Sequence, residues 1–140
     1  MSLVFITYIA FLLAMVTHEL GHLYFLKKFN VPVQKFSIGL GPILFKTKKI
    51  SLKILPLHGF VKYDEKVFNN LYIKQKIKVF MAGSVVNLLI FLSIVIFQIT
   101  VTDYSQTLII VAIPFLAGSL NLVPFIRNSD GFLIKELILT

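Results

Sequence analysis

Two histidines four residues apart, with a glutamate after the first, are the side chains here whose types and spacing could do chemistry: His18-Glu19-Leu20-Gly21-His22. On an α-helix, residues four apart share a face, so both imidazoles can address one ion while Glu19 stands beside them to act as base toward a water. Two nitrogen ligands and one oxygen ligand, with a position left open, is the composition of a catalytic zinc site. The chain has no cysteine, which excludes sulfur ligands, a thiolate nucleophile and a disulfide framework. Such a short pattern can also arise by chance or as polar packing. It falls within an apolar run, however, where an ionisable side chain costs about 2.5 to 3.5 kcal/mol and requires a partner. That setting favours the metal.

The oxygen ligand must come from elsewhere in the chain. Asp64 and Glu65 lie in a basic loop, Asp103 falls on the other side of the apolar segments, and Glu136 is farther along the tail. Asp130 is the remaining candidate. By itself Asn128-Ser129-Asp130-Gly131 reads as a turn or a helix cap. A two-histidine site that needs a ligand at the same depth favours Asp130 as the third ligand over the turn.

The elements that would carry these residues follow from composition. In 140 residues, 57% are hydrophobic and 14% charged. That is one domain over 1–140, and too apolar for an ordinary soluble one. Lys and Arg number 14 against 6 Asp and Glu, a net charge of +8. So little polar surface argues against a nucleic-acid groove, and the lysines suit anionic lipid headgroups better. Leu3 to Phe25, Val79 to Ile99 and Thr107 to Ile126 each approach the roughly 20 residues that cross a bilayer as a helix. The first lacks the basic flank and small-residue cleavage site of a signal peptide, and is read as a retained span. Twelve of the fourteen basic residues fall between Lys27 and Lys78, so that loop is expected in the cytoplasm, with the N-terminus and Asp103 outside. Both polar clusters, His18 to His22 and Asp130, should then share one side and one depth.

Within the loop, apolar residues alternate over Gln34 to Phe45 and again over Ile50 to Ile54, with Lys46-Thr47-Lys48-Lys49 as a turn. This predicts a β-hairpin. From Asp64 to Lys78 the spacing is helical and lysine-rich, as in a helix lying on a membrane surface. The fold expected is an all-α membrane protein: three transmembrane helices plus a cytoplasmic membrane-associated β-hairpin and an interfacial amphipathic helix.

With these residues in view, the sequence resembles the site-2 protease family of intramembrane zinc metallopeptidases, in a short form without a PDZ domain. The likeness runs through His18 to His22, Phe36-Ser37-Ile38-Gly39-Leu40-Gly41-Pro42, Leu55 to Lys62, and Ala82-Gly83-Ser84-Val85-Val86-Asn87. It ends on Asn121-Leu122-Val123-Pro124 with Asp130-Gly131. The chain departs from the family pattern at Ser84 (usually Pro), at His58 (usually Gly), and in an Asn121 to Asp130 spacing about one residue longer than usual. The resemblance implies an endopeptidase that uses Zn2+, with His18, His22 and Asp130 as metal ligands and Glu19 as general base. Its substrate would be a transmembrane protein or peptide, cut in a membrane-embedded or membrane-proximal segment.

Asn87 and Asn121 are open between an interhelical hydrogen bond and the role that the resemblance implies, holding the substrate backbone or orienting the site. Alternation and resemblance together suggest that the hairpin edge from Ser51 through Lys53 to Leu55 pairs with an extended substrate. His58 is read as an interfacial polar residue, since a fourth protein ligand would close the position catalysis needs. Two other classes stay open: a membrane metal-binding or transport protein, and a catalytically silent binder of membrane peptides. Composition suggests a bacterial plasma membrane, with the site toward the cytoplasm.

Overall fold

The computed structural model describes residues 2–101, 106–127 and 129–139. Helix α1 (Leu3–Lys28) starts at Ser2, whose hydroxyl oxygen accepts from the Phe5 amide at 3.4 Å. It ends in a left-handed cap. Asn30 takes a φ of 57°, the Val31 amide donates to the Leu26 carbonyl at 2.8 Å, and the Asn30 amide donates to that of Lys27 at 3.0 Å. This two-bond closure satisfies carbonyls that a helix end leaves open, and it lays Val31 on Leu26.

Strands β1 (Val33–Lys46) and β2 (Ile50–Tyr63) form an antiparallel hairpin longer than the alternation suggested. The fold is mostly helical with the expected hairpin, whose strands together take twenty-eight residues. The hairpin is folded back on itself. Phe36, Ser37 and Ile38 pair on one flank with Val61, Phe60 and Gly59, and on the other with Ile50, Ser51 and Leu52. Ser51 and Leu52 pair in turn with Lys46 and Phe45 as well. The bend lies at Gly39 and Gly41, whose φ values of 91° and 83° are positive. A Cβ at residue 39 would stand 2.7 Å from the Lys53 carbonyl oxygen, so the fold-back needs glycine there.

β2 runs alongside α1. Near one end the Tyr8 hydroxyl donates to the Ile54 carbonyl at 2.7 Å. Farther on, Gly59 lies against Glu19. From Tyr8 to Glu19 a helix rises about 16 Å, and from Ile54 to Gly59 an extended strand covers about the same distance.

The basic segment before the next long helix is divided, which corrects the single helix expected over Asp64 to Lys78. Asp64 caps the short α2 (Glu65–Asn69), its Oδ1 accepting from the amides of Lys66 and Val67 at 3.0 and 3.2 Å. The chain then turns, and Lys74, Lys76 and Lys78 form the first turns of α3 (Ile73–Thr100). Asn69 and Asn70 are poor helix formers whose side chains compete for backbone groups, so the break falls there. The link carrying Asp103 lies outside the described residues.

Helix α4 (Gln106–Ser119) runs into a 3-10 turn at Leu120–Leu122, and α5 (Asp130–Leu139) follows. Among the described residues, α1 and α3 are long and apolar enough to cross a membrane, whereas Gln106–Leu122 is shorter. The third span expected over Thr107 to Ile126 therefore stops early. Pro124 disfavours helix at the residue before it, and Val123 is extended with a ψ of 118°. That break turns the chain back toward α1 and α3.

A cluster of buried apolar side chains sits at the lysine-rich end, where Leu26, Val31, Phe68 and Val79 are buried with Tyr63 and Phe80 packed against them. Beyond it the helices expose Leu13, Leu20, Leu89, Ile96 and Phe97, the outward apolar surface that a lipid-facing helix carries. α1 and α3 touch through glycine: a Cβ on Gly21 would lie 2.8 Å from the backbone C and O of Ala82 and 2.9 Å from the Gly83 Cα. All three atoms are backbone, so no side chain can yield. Gly21→Ala should force the helices apart and cost about 1–3 kcal/mol, seen as a lower thermal midpoint in detergent. An unchanged midpoint would mean the helices do not cross this closely.

Candidate metal centre

The face of α1 that carries His18, Glu19 and His22 turns inward, and His18 and Glu19 are buried. Asp130, the first residue of α5, meets them there. His18 Nε2 and His22 Nε2 are 3.1 Å apart, and Asp130 Oδ2 lies 3.2 Å from the first and 3.5 Å from the second. The fit to a metal can be judged from these separations. Donors about 2.0–2.1 Å from one tetrahedral ion stand roughly 3.3–3.4 Å from each other. A proton could satisfy one of the three contacts, whereas a divalent cation satisfies all of them.

The supporting groups agree with that assignment. His22 Nδ1 is 2.7 Å from the Val79 carbonyl oxygen, which can only accept, so Nδ1 carries the hydrogen and Nε2 keeps its lone pair for the centre. His18 lacks the matching support, its Nδ1 being buried without a partner among the described residues. The carboxylate of Asp130 accepts from Asn121 Nδ2 at 2.8 Å and from the Ser84 hydroxyl at 3.3 Å. Ser129 caps α5 by accepting the Phe132 amide at 3.1 Å and donating to the Val123 carbonyl at 2.9 Å. The cap is thus supplied by Ser129, and the Asp130 carboxylate is left to face the two histidines.

Two glycines clear the space. A Cβ at residue 83 would lie 2.6 Å from His22 Nε2 and 2.8 Å from His18 Cδ2. One at residue 59 would lie 2.6 Å from Glu19 Oε1. β2 can therefore lie directly against the Glu19 carboxylate. Glu19 is not part of the three-residue donor group, yet it opens on the same cavity of about 570 Å3. Residues 56–61 of β2 form one wall of that cavity, while Ala14 of α1 and Gly118 of α4 lie deeper along it.

The other residues singled out from sequence fall into three places. Asn121 reaches the centre through Asp130, with Nδ2 also 3.4 Å from His18 Nε2. Asn87 lines the cavity, but its amide is engaged with α1: Nδ2 donates to the Ala14 carbonyl at 3.1 Å and Oδ1 accepts from the Thr17 hydroxyl at 2.8 Å. Ser51, Lys53 and Leu55 stand apart from the cavity, with Ser51 buried inside the folded hairpin. His58 is exposed on the cavity wall and outside the donor group. Sequence reading did not find Ser84, the Val79 carbonyl or the close approach of Gly59, because each matters only through a partner remote in the chain.

The sequence model of Peptidase family M50 matches residues 6–112. A protein of Clostridium acetobutylicum, provisionally named a zinc metalloprotease, is 33% identical over 97 residues, which cover 61% of this chain and 29% of that protein. One from Streptococcus pneumoniae with the same provisional name is 39% identical over 59 residues, 39% of this chain and 14% of the relative. A third, from Clostridium perfringens, is 43% identical over 58 residues, 39% of this chain and 17% of the relative. The chain thus covers less than a third of the length of each.

His22→Ala should empty the centre of zinc in the purified protein, whereas His58→Ala should retain the parent's zinc content by elemental analysis. Zinc loss in the His58 variant would make that imidazole a ligand.

Proposed function

Because the chain belongs to peptidase family M50, a family of zinc-dependent peptidases, we propose that it hydrolyses peptide bonds in membrane-embedded or membrane-proximal segments of a protein or peptide. The observation that carries this reading is the position of Glu19: outside the three-donor group, yet open to the same cavity. A metal-transport site has no use for a carboxylate placed to move a proton beside the ion.

His18, His22 and Asp130 would hold zinc, which when bound would supply a Lewis acid to polarise a carbonyl oxygen and acidify water. Glu19 accepts the proton of the attacking water and returns it to the leaving nitrogen. Asn121 holds Asp130 through this cycle. The cavity gives water a polar floor between helices that are otherwise apolar, which answers the scarcity of water at a membrane.

A helical substrate hides its own carbonyls, so it must be drawn out into an extended form. Ser51 and Leu52 already pair on both flanks, and the Ile54 carbonyl is taken by Tyr8, which leaves little there for an incoming strand. The stretch from Gly59 to Val61 pairs with β1 on one flank only among the described residues, and it borders Glu19. We therefore move the substrate edge from Ser51–Leu55 to residues 56–61, where an added strand lies over the base.

The charge pattern supports a cytoplasmic face for the site and an outside N-terminus, in a bacterial plasma membrane. Lys46, Lys48 and Lys49 on the hairpin turn would then meet anionic headgroups. With a reconstituted transmembrane substrate, Glu19→Gln should keep its zinc and lose cleavage by at least about 100-fold, and N-methylation of substrate amides beside the cut should slow the parent enzyme. Full activity in the Glu19 variant would remove the base, and indifference to methylation would remove the strand pairing.

A further inference from the structure

Ser84 is completely buried in α3, which is neither the helix that carries the histidines nor the one that begins with Asp130. Buried hydroxyls need a partner, and inside a helix serine usually finds it in the carbonyl one turn back. Ser93, on the same helix, does so, donating to the Leu89 carbonyl at 2.8 Å. Ser119, at the end of α4, likewise donates to the Leu116 carbonyl at 2.6 Å. Ser84 instead points across to Asp130 and donates to Oδ2 at 3.3 Å. That oxygen is the one that faces both imidazoles and accepts from Asn121.

We infer that Ser84 is a positioning residue for the metal centre, fixing the Asp130 carboxylate from the α3 side while Asn121 fixes it from the α4 side. Asp130 opens α5, and among the described residues between Leu122 and it no helix is present, so its carboxylate takes its direction from side chains of other elements. Two donors from different elements restrict the carboxylate to the rotamer that presents Oδ2 to the histidines. α3 supplies no ligand, yet one short stretch of it serves all three: the Val79 carbonyl orients His22, Gly83 makes room for both rings, and Ser84 aims the carboxylate. The serine leaves chemistry to Glu19 and acts on metal affinity, through a partner of the kind whose loss typically costs 10–100-fold.

The inference rests on the zinc reading above, and the test separates the two. Zinc affinity is measured by chelator competition on the parent, Ser84→Ala and Ser84→Thr proteins in detergent, beside the visible spectrum of the cobalt-substituted forms and thermal unfolding without metal. Ser84→Ala should bind zinc about tenfold more weakly, with altered cobalt d–d bands and a metal-free midpoint like the parent's. Ser84→Thr keeps the hydroxyl and should restore affinity and spectrum toward the parent's. Parent-like affinity and spectrum in Ser84→Ala would overturn the inference, as would a fall in its metal-free midpoint with unchanged affinity, which is the mark of a packing role alone. If Ser84→Ala does not fold, the Thr variant decides: parent-like zinc binding supports the inference, and tenfold weaker binding overturns it. No zinc in the parent would overturn both this inference and the zinc reading.

Discussion

Two imidazole nitrogens and a carboxylate oxygen are held within 3.1 to 3.5 Å of one another on the buried faces of α1 and α5. These are electron-pair donors, and crowding them in a poorly solvated place is unfavourable unless a cation lies between them. Everything else in the architecture serves to bring them together. The crossing of α1 over α3 at Gly21 and Gly83 is as close as backbone allows. The break at Val123 and Pro124 ends the helical stretch that began at Gln106 and returns the chain to deliver Asp130.

In lipid, burial of apolar side chains does little to drive helices together, so close packing and polar contacts carry more of the association. The distribution of contacts fits that condition. The apolar cluster around Leu26, Phe68 and Val79 sits at the lysine-rich end. At the level of the site, cohesion comes instead from glycine contacts, from Asn87 bridging to Ala14 and Thr17, and from the fan of donors on Asp130. Other small residues, Ala14, Gly59 and Gly118, line the cavity that Glu19 opens on, so packing and access draw on neighbouring positions.

Much of this was legible in the amino-acid order because its signals are local. His18 and His22 at helical spacing, the two long apolar helices, and alternation on either side of Lys46–Lys49 each follow from backbone periodicity. Asp130 was reachable by elimination once charge placed the loops. The fold-back of the hairpin was not legible: alternation specifies which face is apolar, and says nothing of a strand that pairs on both flanks. The division of α2 from α3 turned on Asn69 and Asn70, whose local preference overrides a continuous helical pattern. The end of the third apolar helix at Leu122 was not legible, because hydropathy does not register the stop that Pro124 imposes on Val123. Ser84 and the long spacing from Asn121 to Asp130 were visible as departures from a family pattern, and only coordinates show that both concern one carboxylate.

Zinc K-edge X-ray absorption on the purified, detergent-solubilised chain and its Asp130→Ala variant tests the centre most directly. The predicted parent spectrum has a first shell at about 2.0–2.2 Å, outer-shell scattering from two imidazole rings, and a carboxylate contribution that vanishes when Asp130 is replaced. Zinc bound through fewer than two imidazoles, or a spectrum that the Asp130 substitution leaves unchanged, would contradict the three-residue site.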